Sequence, residues 1–488
     1  MSRRNRREFL ETSMFAAAAA VTAGSAGHLI AAESEPQSKS ANERLNVAVV
    51  GVKGRGGSHI GAFAGRKDTV ITYVVDVDRA IGENRVNEIE KRQGSRPKYV
   101  EDIRAALDDK SLDIVTVATP NHQHSLQAIW AIQAGKDCYC EKPVSHNVSE
   151  GRRVVEAARK YKKMCQTGTQ SRSNPGMIDA IEYVRSGKIG HVNVARGLCY
   201  KPRGSIGAKG EYQLPASVNY DLWSGPAPIL PLTRKNLHYD WHWMWAYGNG
   251  DLGNQGIHQM DIARWGLGVK ALGNAVFSYG GRFGYEDAGE TANTQVVQHD
   301  YNDQSLVFEV RGLKTGDYKG AKVGVIFEGT EGYVVLPSYN GGAAFDKAGK
   351  KVAEFKGGSD DNHFSNFIKA VRSRKLTDLN ADIEEGHLSS ALCHMGNISY
   401  RLGSQMTADE LDKHIATIKT SDNAKDTLER TLAHLKDNEV NMAGTKLQVG
   451  PALPFDPKTE SFIGNDAANT MCTREYRKPF VVPAAGQV

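Results

Sequence analysis

Between residues 45 and 167, short apolar runs rich in β-branched residues alternate with stretches of helical periodicity. The run Leu45-Asn46-Val47-Ala48-Val49-Val50 is typical of a strand buried on both faces. Strands that alternate with helices predict a parallel, doubly wound α/β sheet, because parallel neighbours need a long crossover connection. The predicted strands are 45–50, 70–75, 98–100, 112–119, 136–140 and 164–167. Ligands of such sheets bind beyond the carboxyl ends of the strands.

The first predicted strand runs directly into a glycine-rich turn and a predicted helix. The turn contains Gly51, Lys53, Gly54, Arg55 and Gly56. Glycine lets the backbone N–H groups at a helix N-terminus approach the pyrophosphate of a dinucleotide closely. The usual G-x-G-x-x-G spacing places its second glycine at position 53, where this chain has lysine.

The second predicted strand ends at Asp76. A carboxylate at this place suits the ribose hydroxyls of an adenosine and repels a 2′-phosphate. Asp76 therefore favours NAD as the cofactor, whereas the nearby Arg79 keeps NADP as an alternative.

Polar clusters follow three later strands of the predicted sheet. They are Thr119-Pro120-Asn121 with His124, then Glu141-Lys142-Pro143, then Gly168-Thr169-Gln170. Because all three stand at carboxyl ends of parallel strands, we expect them to lie around one site.

In this order, the turn, Asp76 and the clusters resemble the Gfo/Idh/MocA oxidoreductase family, which includes sugar and inositol dehydrogenases. The run Gly256-Ile257-His258-Gln259-Met260-Asp261 extends the resemblance, which covers roughly residues 44 to 400. It implies a Rossmann domain followed by an α+β domain with a large, mostly antiparallel sheet. It also implies these cofactor-binding residues: Gly51, Lys53, Gly54, Arg55, Gly56, Asp76, Thr119, Pro120, Asn121, His124, Glu141, Lys142 and Gln170.

The resemblance also implies the catalytic residues. Lys142 would lie beside the nicotinamide and the reacting carbinol, where a cation lowers the barrier to alkoxide formation. His258 would be the general base. Many members of the family have Asp four residues before this histidine, but this chain has Asn254, which orients an imidazole without stabilising its charge. Asp251 or Asp261 is the candidate substitute.

The second predicted domain contains strands at 191–196, 294–300, 305–311, 322–328 and 332–336. Four of the six tryptophans lie between 223 and 245, and flat aromatic faces suit sugar rings. The predicted substrate contacts are Arg172, Trp241, His242, Trp243 and His258. For each of these predictions an alternative stays open. The Trp-rich segment is alternatively a hydrophobic strand packed on the first domain, and Arg172 alternatively forms a structural ion pair. His238, Asp240 and His242 also have a possible metal-ligand spacing, but without a further ligand cluster we predict no metal site.

The N-terminal run Asn5-Arg6-Arg7-Glu8-Phe9-Leu10 precedes a weakly apolar stretch and resembles a twin-arginine export signal. We therefore expect a signal peptide over 1–32, a linker over 33–43 and a periplasmic protein like exported members from planctomycete-type bacteria. An Arg-rich amphipathic helix is the alternative. The further predicted boundaries are 44–168 for the Rossmann domain, 169–400 for the substrate and oligomerisation domain, and 401–488 for an extension that wraps the body or joins subunits.

Composition excludes other classes of protein. The chain has 61 Lys and Arg against 56 Asp and Glu, a net charge of +5. So small an excess does not indicate the concentrated basic surface that binding of nucleic acid requires. The sequence contains no run of 18 apolar residues, so we predict no membrane span in the mature form. Its six cysteines are scattered, which excludes a disulfide scaffold. We expect a small sugar or glycoside as partner and, by the resemblance, a homo-oligomer.

Three functions are compatible with these features. The first is an NAD(P)-dependent oxidoreductase acting on a carbinol carbon of a sugar, cyclitol or glycoside. The second is an NAD-dependent glycosidase that oxidises, eliminates, hydrates and reduces with no net redox change. The third is a catalytically silent, cofactor-retaining sugar-binding protein, suggested by Lys53 and Asn254.

Overall fold

The computed structural model describes residues 44–488. The predicted signal peptide over 1–32 and the linker over 33–43 lie outside the described residues. The predicted domain boundaries stay predictions.

Alternating strands and helices in the first part of the chain build one parallel sheet. The elements are β1 (Leu45–Val50), α1 (Gly56–Ala64), β2 (Thr69–Val75), α2 (Arg79–Gln93), β3 (Lys98–Val100), α3 (Ile103–Leu107), β4 (Ile114–Val117), α4 (Asn121–Gln133), β5 (Asp137–Cys140), α5 (Val148–Lys160) and β6 (Cys165–Thr167). The strand order is β3-β2-β1-β4-β5-β6, and every neighbouring pair is parallel. This is the doubly wound dinucleotide-binding order, so the predicted Rossmann fold is confirmed.

Short polar side chains begin several of these helices. The carboxylate of Asp78 accepts the backbone N–H of Ala80 at the start of α2, and Asn147 accepts that of Glu150 at the start of α5. Each cap satisfies an N–H group that has no partner within its own helix. The helices therefore start close to the strand ends, which is where a ligand site is expected.

The second part of the chain is an α+β unit. Its elements are α6 (Pro175–Arg185), β7 (Val192–Tyr200), α7 (Tyr220–Ser224), α8 (Gly250–Asn254), α9 (Gly256–Leu267), β8 (Ala275–Gly281), β9 (Thr294–Asp300), β10 (Ser305–Arg311), β11 (Val323–Gly329), β12 (Gly332–Leu336), β13 (Gly341–Asp346), β14 (Lys351–Lys356), α10 (Asp360–Ser373) and α11 (Ile383–Arg401). After these come β15 (Ser404–Met406), α12 (Ala408–Ile415), α13 (Ala424–Asp437), β16 (Leu447–Val449), β17 (Leu453–Asp456), β18 (Ser461–Phe462) and α14 (Asp466–Thr470).

The strands of this unit form one large sheet in the order β14-β13-β12-β11-β7-β10-β9-β8-β16-β15. Its pairs are antiparallel except β7 with β10. The predicted large, mostly antiparallel sheet is thus confirmed. Residues from α6, α9 and α11 pack on one face of it, and residues from α12 and α13 pack on the other.

Seven strands escape prediction from the sequence, namely β8, β13, β14 and the four short strands β15 to β18. β13 begins Gly341-Gly342-Ala343-Ala344 and lacks β-branched residues, so sheet pairing rather than propensity makes it extended. The strand alternative for the Trp-rich segment is wrong, because Asp240–Trp243 form a 3-10 helix.

The residues after 401 are divided between both parts of the fold. α12 and α13 cover one face of the large sheet, while β16 and β17 pair with its strands. Residues 473–488 cross to the Rossmann sheet, where Val482 and Val488 are buried among its residues. None of the helices formed by residues 44–488 combines the length and apolar composition that crossing a membrane needs.

Candidate functional site

A cavity of about 580 Å³ lies beyond the carboxyl ends of β1, β2, β4 and β5. Its volume is typical of small-molecule sites, which occupy about 300–1,000 Å³. The strand ends contribute Gly51, Lys53, Gly54, Arg55, Asp76, Thr119, Pro120, Asn121, His124, Glu141, Lys142 and Gln170 to its wall. The second part of the chain contributes His238, Tyr239, Trp241, His242, Asn254, Gln255, His258 and Tyr339. The fold thus brings most of the predicted site residues together.

The glycine-rich turn forms one wall of the cavity. Gly51 has a φ of +77°, in the left-handed region, and a β-carbon there would lie 2.8 Å from the carbonyl carbon of Ala118. A β-carbon at Gly56 would lie 1.9 Å from the oxygen of Gly51, whereas one at Gly54 would meet no atom within 4 Å. Glycine is therefore required at 51 and 56 by packing, and Gly54 leaves open space at the N-terminus of α1. Lys53 is exposed and does not fill the turn.

Asp76 stands at the end of β2 with its carboxylate turned toward the turn. It accepts the backbone N–H of Val52 at 2.8 Å and that of Asp78 at 2.9 Å. Burial raises the pKa of Asp76 above its ordinary value, although the two N–H bonds act in the opposite direction. Each carboxylate oxygen keeps a lone pair for a ribose hydroxyl.

Arg79, the residue that kept NADP as an alternative, is paired elsewhere. Its guanidinium lies 2.8 Å from the carboxylate of Glu101, which also lines the cavity. Two carboxylates, Asp76 and Glu101, therefore face the place where a 2′-phosphate would need a free cation, so this end of the cavity suits NAD.

His124 ties the ends of β4 and β5 together. Its two ring nitrogens each lie 2.6 Å from a backbone carbonyl oxygen, one of Thr119 and one of Pro143. Asn121 donates to the side chain of Asn249 at 3.2 Å. These residues connect the Rossmann sheet to the segment that precedes α8.

Glu141 is buried at the centre of a group of hydrogen-bond donors. Its carboxylate lies 2.8 Å from Arg55, 3.2 Å from His59 and 3.3 Å from the amide of Gln170. Burial by itself raises the pKa of Glu141, but Arg55 and His59 lower it well below its ordinary value. The carboxylate is therefore ionised and holds Arg55 beside the glycine turn.

Lys142 follows directly, and its amine reaches across the cavity. The Nζ atom donates to the backbone carbonyl oxygen of Asn254 at 2.7 Å. Burial lowers the pKa of Lys142 to about 8, with Glu141 opposing the shift. At neutral pH the amine is a cation that loses its proton more easily than an exposed lysine.

His258, on α9, lies on the opposite wall with its ring 4.9 Å from that of Tyr339. Burial, and then the nearby Lys142, hold the pKa of His258 well below its ordinary value. The imidazole is therefore neutral at physiological pH, which is the form that accepts a proton.

Within residues 44–488, the His258 ring forms no hydrogen bond or ion pair with the carboxylate that was expected beside it. Asp251 lies 2.7 Å from Arg203, and Asp261 accepts from Arg172 at 2.8 Å and from Ser389 at 2.8 Å. The expectation that Asp251 or Asp261 pairs with the histidine is corrected, since these arginines already hold both carboxylates. Asn254 contributes its backbone carbonyl to Lys142.

The predicted substrate residues are separated by the fold. Trp241 and His242 line the cavity, with their rings stacked 3.7 Å apart. Trp243 is buried outside the lining, next to the guanidinium of Arg203. Arg172 also lies outside it and pairs with Asp261 and Glu385 at 2.8 and 2.9 Å. Of the two alternatives for Arg172, the geometry favours the structural ion pair.

The ring of His242 has a defined tautomer. Its Nδ1 lies 2.5 Å from the carbonyl oxygen of Tyr239, so this nitrogen carries the hydrogen. Nε2 is then an acceptor on a ring that lines the cavity, and burial lowers the pKa of His242 to about 3. Among residues 44–488, no group of three or more His, Cys, Asp or Glu side chains is placed to hold a metal ion.

The residues present fit a dinucleotide. Open space at Gly54, the N-terminus of α1 and the carboxylate of Asp76 supply a phosphate site and a ribose acceptor in one cavity. The same cavity continues to Lys142 and His258, where redox chemistry would take place.

Two family models match the chain. The Gfo/Idh/MocA oxidoreductase model for an NAD-binding Rossmann fold matches residues 45–169, and the model for the family's C-terminal alpha/beta domain matches residues 203–432. Together they match more than half of the chain, and the protein belongs to the Gfo/Idh/MocA family of oxidoreductases. Its first domain is the NAD-binding Rossmann domain of that family.

Curated relatives are similar over part of the chain. Levoglucosan dehydrogenase of Pseudarthrobacter phenanthrenivorans is 29% identical over 178 residues, which are 36% of this chain and 38% of that protein. Inositol 2-dehydrogenase of Salmonella typhimurium is 26% identical over 175 residues, which are 36% of this chain and 50% of that protein. Alpha-N-acetylgalactosaminidase of Shewanella oneidensis is 25% identical over 202 aligned residues, and the match covers 38% of this chain and 44% of that protein. The chain thus spans half or less of the length of these relatives.

Solved structures share the fold over a larger share of the chain. The WlbA dehydrogenase of Bordetella pertussis, in complex with NADH and UDP-GlcNAcA, has a TM-score of 0.56 at 20% identity, covering 73% of this chain and 97% of that one. Levoglucosan dehydrogenase, in complex with NADH and levoglucosan, has a TM-score of 0.53 at 19% identity, and the match covers 72% of this chain and 96% of that one. At this identity the likeness establishes the fold.

Several lining residues escape prediction from the sequence. Tyr339 follows β12, Tyr239 precedes the 3-10 helix, and Phe480 comes from the C-terminal residues. Tyr339 and Phe480 belong to no motif, and Tyr239 lies in the Trp-rich segment but is not among its predicted contacts, so only the folded chain shows that these residues reach the cavity.

Proposed function

We propose that the protein is an NAD-dependent oxidoreductase that transfers hydride between the nicotinamide and a carbinol carbon of a sugar, cyclitol or glycoside. The observation that carries this proposal is the placement of the Lys142 amine and the His258 imidazole in one cavity with the glycine turn and Asp76. The sugar and inositol dehydrogenases among its relatives support this substrate class.

The side chains have complementary roles in the oxidation. A bound NAD⁺ would supply the oxidant of the reaction, as the acceptor of the hydride from the carbinol carbon. The neutral imidazole of His258 accepts the hydroxyl proton while the carbon–oxygen single bond becomes a double bond. The ammonium of Lys142 stabilises the negative charge that develops on this oxygen. The stacked rings of Trp241 and His242 offer a flat surface to a pyranose.

The substitution Lys142→Met tests this assignment. It removes the cation and keeps the length of the side chain, so we expect turnover to fall by about a hundredfold or more. NADH binding, followed by the fluorescence of the nicotinamide, should stay within threefold of the parent. The substrate panel contains levoglucosan, myo-inositol and simple pyranosides, with NADH absorbance as the readout.

Lys201→Met is the matched control. Lys201 is exposed and lies outside the cavity lining, although its charge acts on Lys142. We expect nearly parental turnover in this variant. Turnover of Lys142→Met within threefold of the parent would show that the amine has no catalytic role.

A second candidate is an NAD-dependent glycosidase without net redox change. Such a route also removes a proton from the carbon next to the transient ketone, which needs a second acceptor. His242 supplies an unprotonated Nε2 in the same cavity, and relatives that act as glycosidases support the route. Release of 4-nitrophenol from a 4-nitrophenyl glycoside with no net NADH would favour it over the first candidate.

The third alternative, a catalytically silent sugar-binding protein, makes a different forecast in the same assays. It retains NAD and binds a sugar but gives neither NADH nor an aglycone. The exposed side chain of Lys53 removes one reason for this alternative, because it leaves the turn open.

We also propose that the protein is exported to the periplasm, like exported members of the family from planctomycete-type bacteria. The supporting observation is the run Arg6-Arg7-Glu8-Phe9-Leu10 before an apolar stretch. The expected homo-oligomer stays a prediction.

A further inference from the structure

Residues 473–488, here called the C-terminal segment, lie along the Rossmann domain. The amine of Lys160, at the end of α5, contacts the carbonyl oxygen of Val488. Val482 and Val488 are buried in the same apolar cluster as Val115 and Ile129 of the Rossmann core. Three side chains of the segment, Phe480, Val482 and Val488, are therefore buried in the domain, and the other residues lie on its surface.

Arg477 fastens the middle of the C-terminal segment to α7. Its guanidinium donates to the side chain of Asp221 at 2.6 Å, to the backbone carbonyl of Asp221 at 2.7 Å and to that of Gly225 at 3.1 Å. Its backbone N–H also donates to Pro226 at 3.3 Å. Because the partners of Arg477 are a residue of α7 and the two residues that follow this helix, the backbone near Arg477 has little freedom to move away.

Phe480, three residues later, is a wall of the cavity. Its side chain is buried, and it lines the cavity together with Ile103, Trp130 and Leu222. The guanidinium of Arg104 lies 5.5 Å from the ring centre of Phe480 and 5.5 Å from that of Trp130. This aromatic wall adjoins Glu101 and Asp102, which follow β3, the neighbour of β2 in the sheet.

The position of the wall identifies the part of a dinucleotide that it would meet. Asp76 and Glu101 mark the ribose end of the cavity, and Lys142 marks the reacting end. A flat apolar wall at the ribose end suits a purine base, since aromatic side chains bind bases by stacking and by apolar contact.

We propose that Phe480 is a cofactor-binding residue and that the C-terminal segment slows dissociation of NAD by closing the adenine end of the cavity. The proposal rests on the dinucleotide site of the proposed function. Dissociation then requires either a path past the nicotinamide end or release of a segment held by Arg477 and by buried valines. A cofactor retained in this way suits an enzyme that must reuse the same NAD molecule.

The substitution Phe480→Ala tests the proposal in the full-length protein. NADH-loaded protein is mixed with excess NAD⁺, and the loss of bound NADH fluorescence gives the dissociation rate constant. We expect this rate constant to rise about five- to a hundredfold, the range found when an aromatic partner of a base is removed. A rise of less than threefold would overturn the proposal.

Val481→Ala is the matched control. Val481 is the neighbouring residue, it is 42% exposed and it lies outside the cavity lining. We expect its NADH dissociation rate to equal that of the parent. An equal acceleration in both variants would point to general loosening of the segment and would overturn the role of the Phe480 ring.

A measurement on the unmodified protein keeps the proposal testable if Phe480→Ala fails to fold. In hydrogen–deuterium exchange, NADH should slow exchange of the amides from Arg477 to Val482, and unchanged exchange there would overturn the proposal. Neither readout depends on turnover. An inactive protein with slow, Phe480-dependent NADH release would therefore contradict the proposed reaction and leave this inference standing.

Discussion

Burial lowers the pKa values of both Lys142 and His258, with opposite consequences for their charge at neutral pH. Burial disfavours the charged form of both side chains, so the pKa of His258 falls well below its ordinary value and that of Lys142 falls to about 8. Near pH 7 the imidazole is consequently neutral and the amine is still mostly charged. A base and a cation therefore coexist in one cavity without a carboxylate beside the histidine.

This difference predicts the pH dependence of sugar oxidation. Because the amine loses its charge as pH rises through about 8, we expect kcat/KM to fall about tenfold per pH unit above that value. His258 stays neutral from pH 6 upward and adds no further loss in this range. The measurement is kcat/KM between pH 6 and pH 10 in buffers of constant ionic strength.

Lys142→Arg is the informative comparison for the pH profile. An arginine keeps its charge throughout this range, so whatever activity remains should show no decline above pH 8. A decline at the same pH in this variant would assign the titration to another group.

At the scale of elements, α13 is attached to the large sheet by buried charges. Glu309 on β10 accepts from Arg196 at 2.8 Å and from Arg430 of α13 at 2.8 Å, and the hydroxyl of Tyr200 donates to it at 2.6 Å. Arg196 also pairs with Asp422, just before α13. These contacts explain how a helix from the predicted extension covers a sheet face that Leu428 and Leu435 cover only in part.

The substitution Glu309→Gln tests the energetic weight of this group. It removes the anion that Arg196, Arg311 and Arg430 share, so we expect the free energy of unfolding to fall by about 3 kcal/mol. Burial by itself raises the pKa of Glu309, but the surrounding arginines lower it to about 2. A depressed pKa stabilises the fold above about pH 4.5, and this contribution is lost as pH falls toward 2. Urea unfolding at several pH values measures both effects, and the variant should lose the part of the acid sensitivity due to Glu309.

Glu331→Gln is a suitable control for that experiment. Glu331 pairs with Lys347 at 3.2 Å, but both side chains are more than 60% exposed. Exposed pairs add little stability, so the urea midpoint should not change. A loss below 1 kcal/mol in Glu309→Gln would mean that the buried carboxylate contributes no more than a surface pair.

At the scale of the whole molecule, one cavity joins three parts of the chain. Its lining comes mainly from the Rossmann strand ends, the segment from 222 to 258 and the C-terminal residue Phe480, with Tyr339 and Asp360 between them in the chain. The helix α11 strengthens the connection, since Leu388 and Leu392 pack in the second core while Ile383, at its start, packs in the Rossmann core. The cofactor site is therefore completed only when the whole chain has folded.

A site completed by folding agrees with the proposed twin-arginine route, which carries folded proteins. We expect the parent protein in the periplasmic fraction with NAD bound, and the Arg6→Lys, Arg7→Lys variant in the cytoplasmic fraction with NAD equally bound. The measurement is cell fractionation followed by cofactor absorbance of the purified protein. A periplasmic double variant would show that this arginine pair does not direct export.

Local patterns predicted the Rossmann half well. The bounds of β1 and β3 agree with the structure, because apolar runs between glycine and polar residues are short-range signals. The Trp-rich segment was harder to interpret, since tryptophan favours strands and yet Asp240–Trp243 turn as a 3-10 helix. Trp241 packs with Trp223 and Met244 in a local cluster, and this packing overrides the propensity of the segment.

The sequence by itself determined the alternation of strands and helices in the first domain. It also determined the glycine turn, Asp76 and the positions of Lys142 and His258, because each lies in a short motif where one element ends or the next begins. Tertiary structure alone decided their partners. The carbonyl that holds Lys142 is 112 residues away, and Arg172 pairs with Asp261 across 89 residues. Phe480 reaches a cavity whose other lining residues lie between positions 50 and 360. Such contacts depend on how the elements pack, and no periodicity or spacing within a segment contains that information.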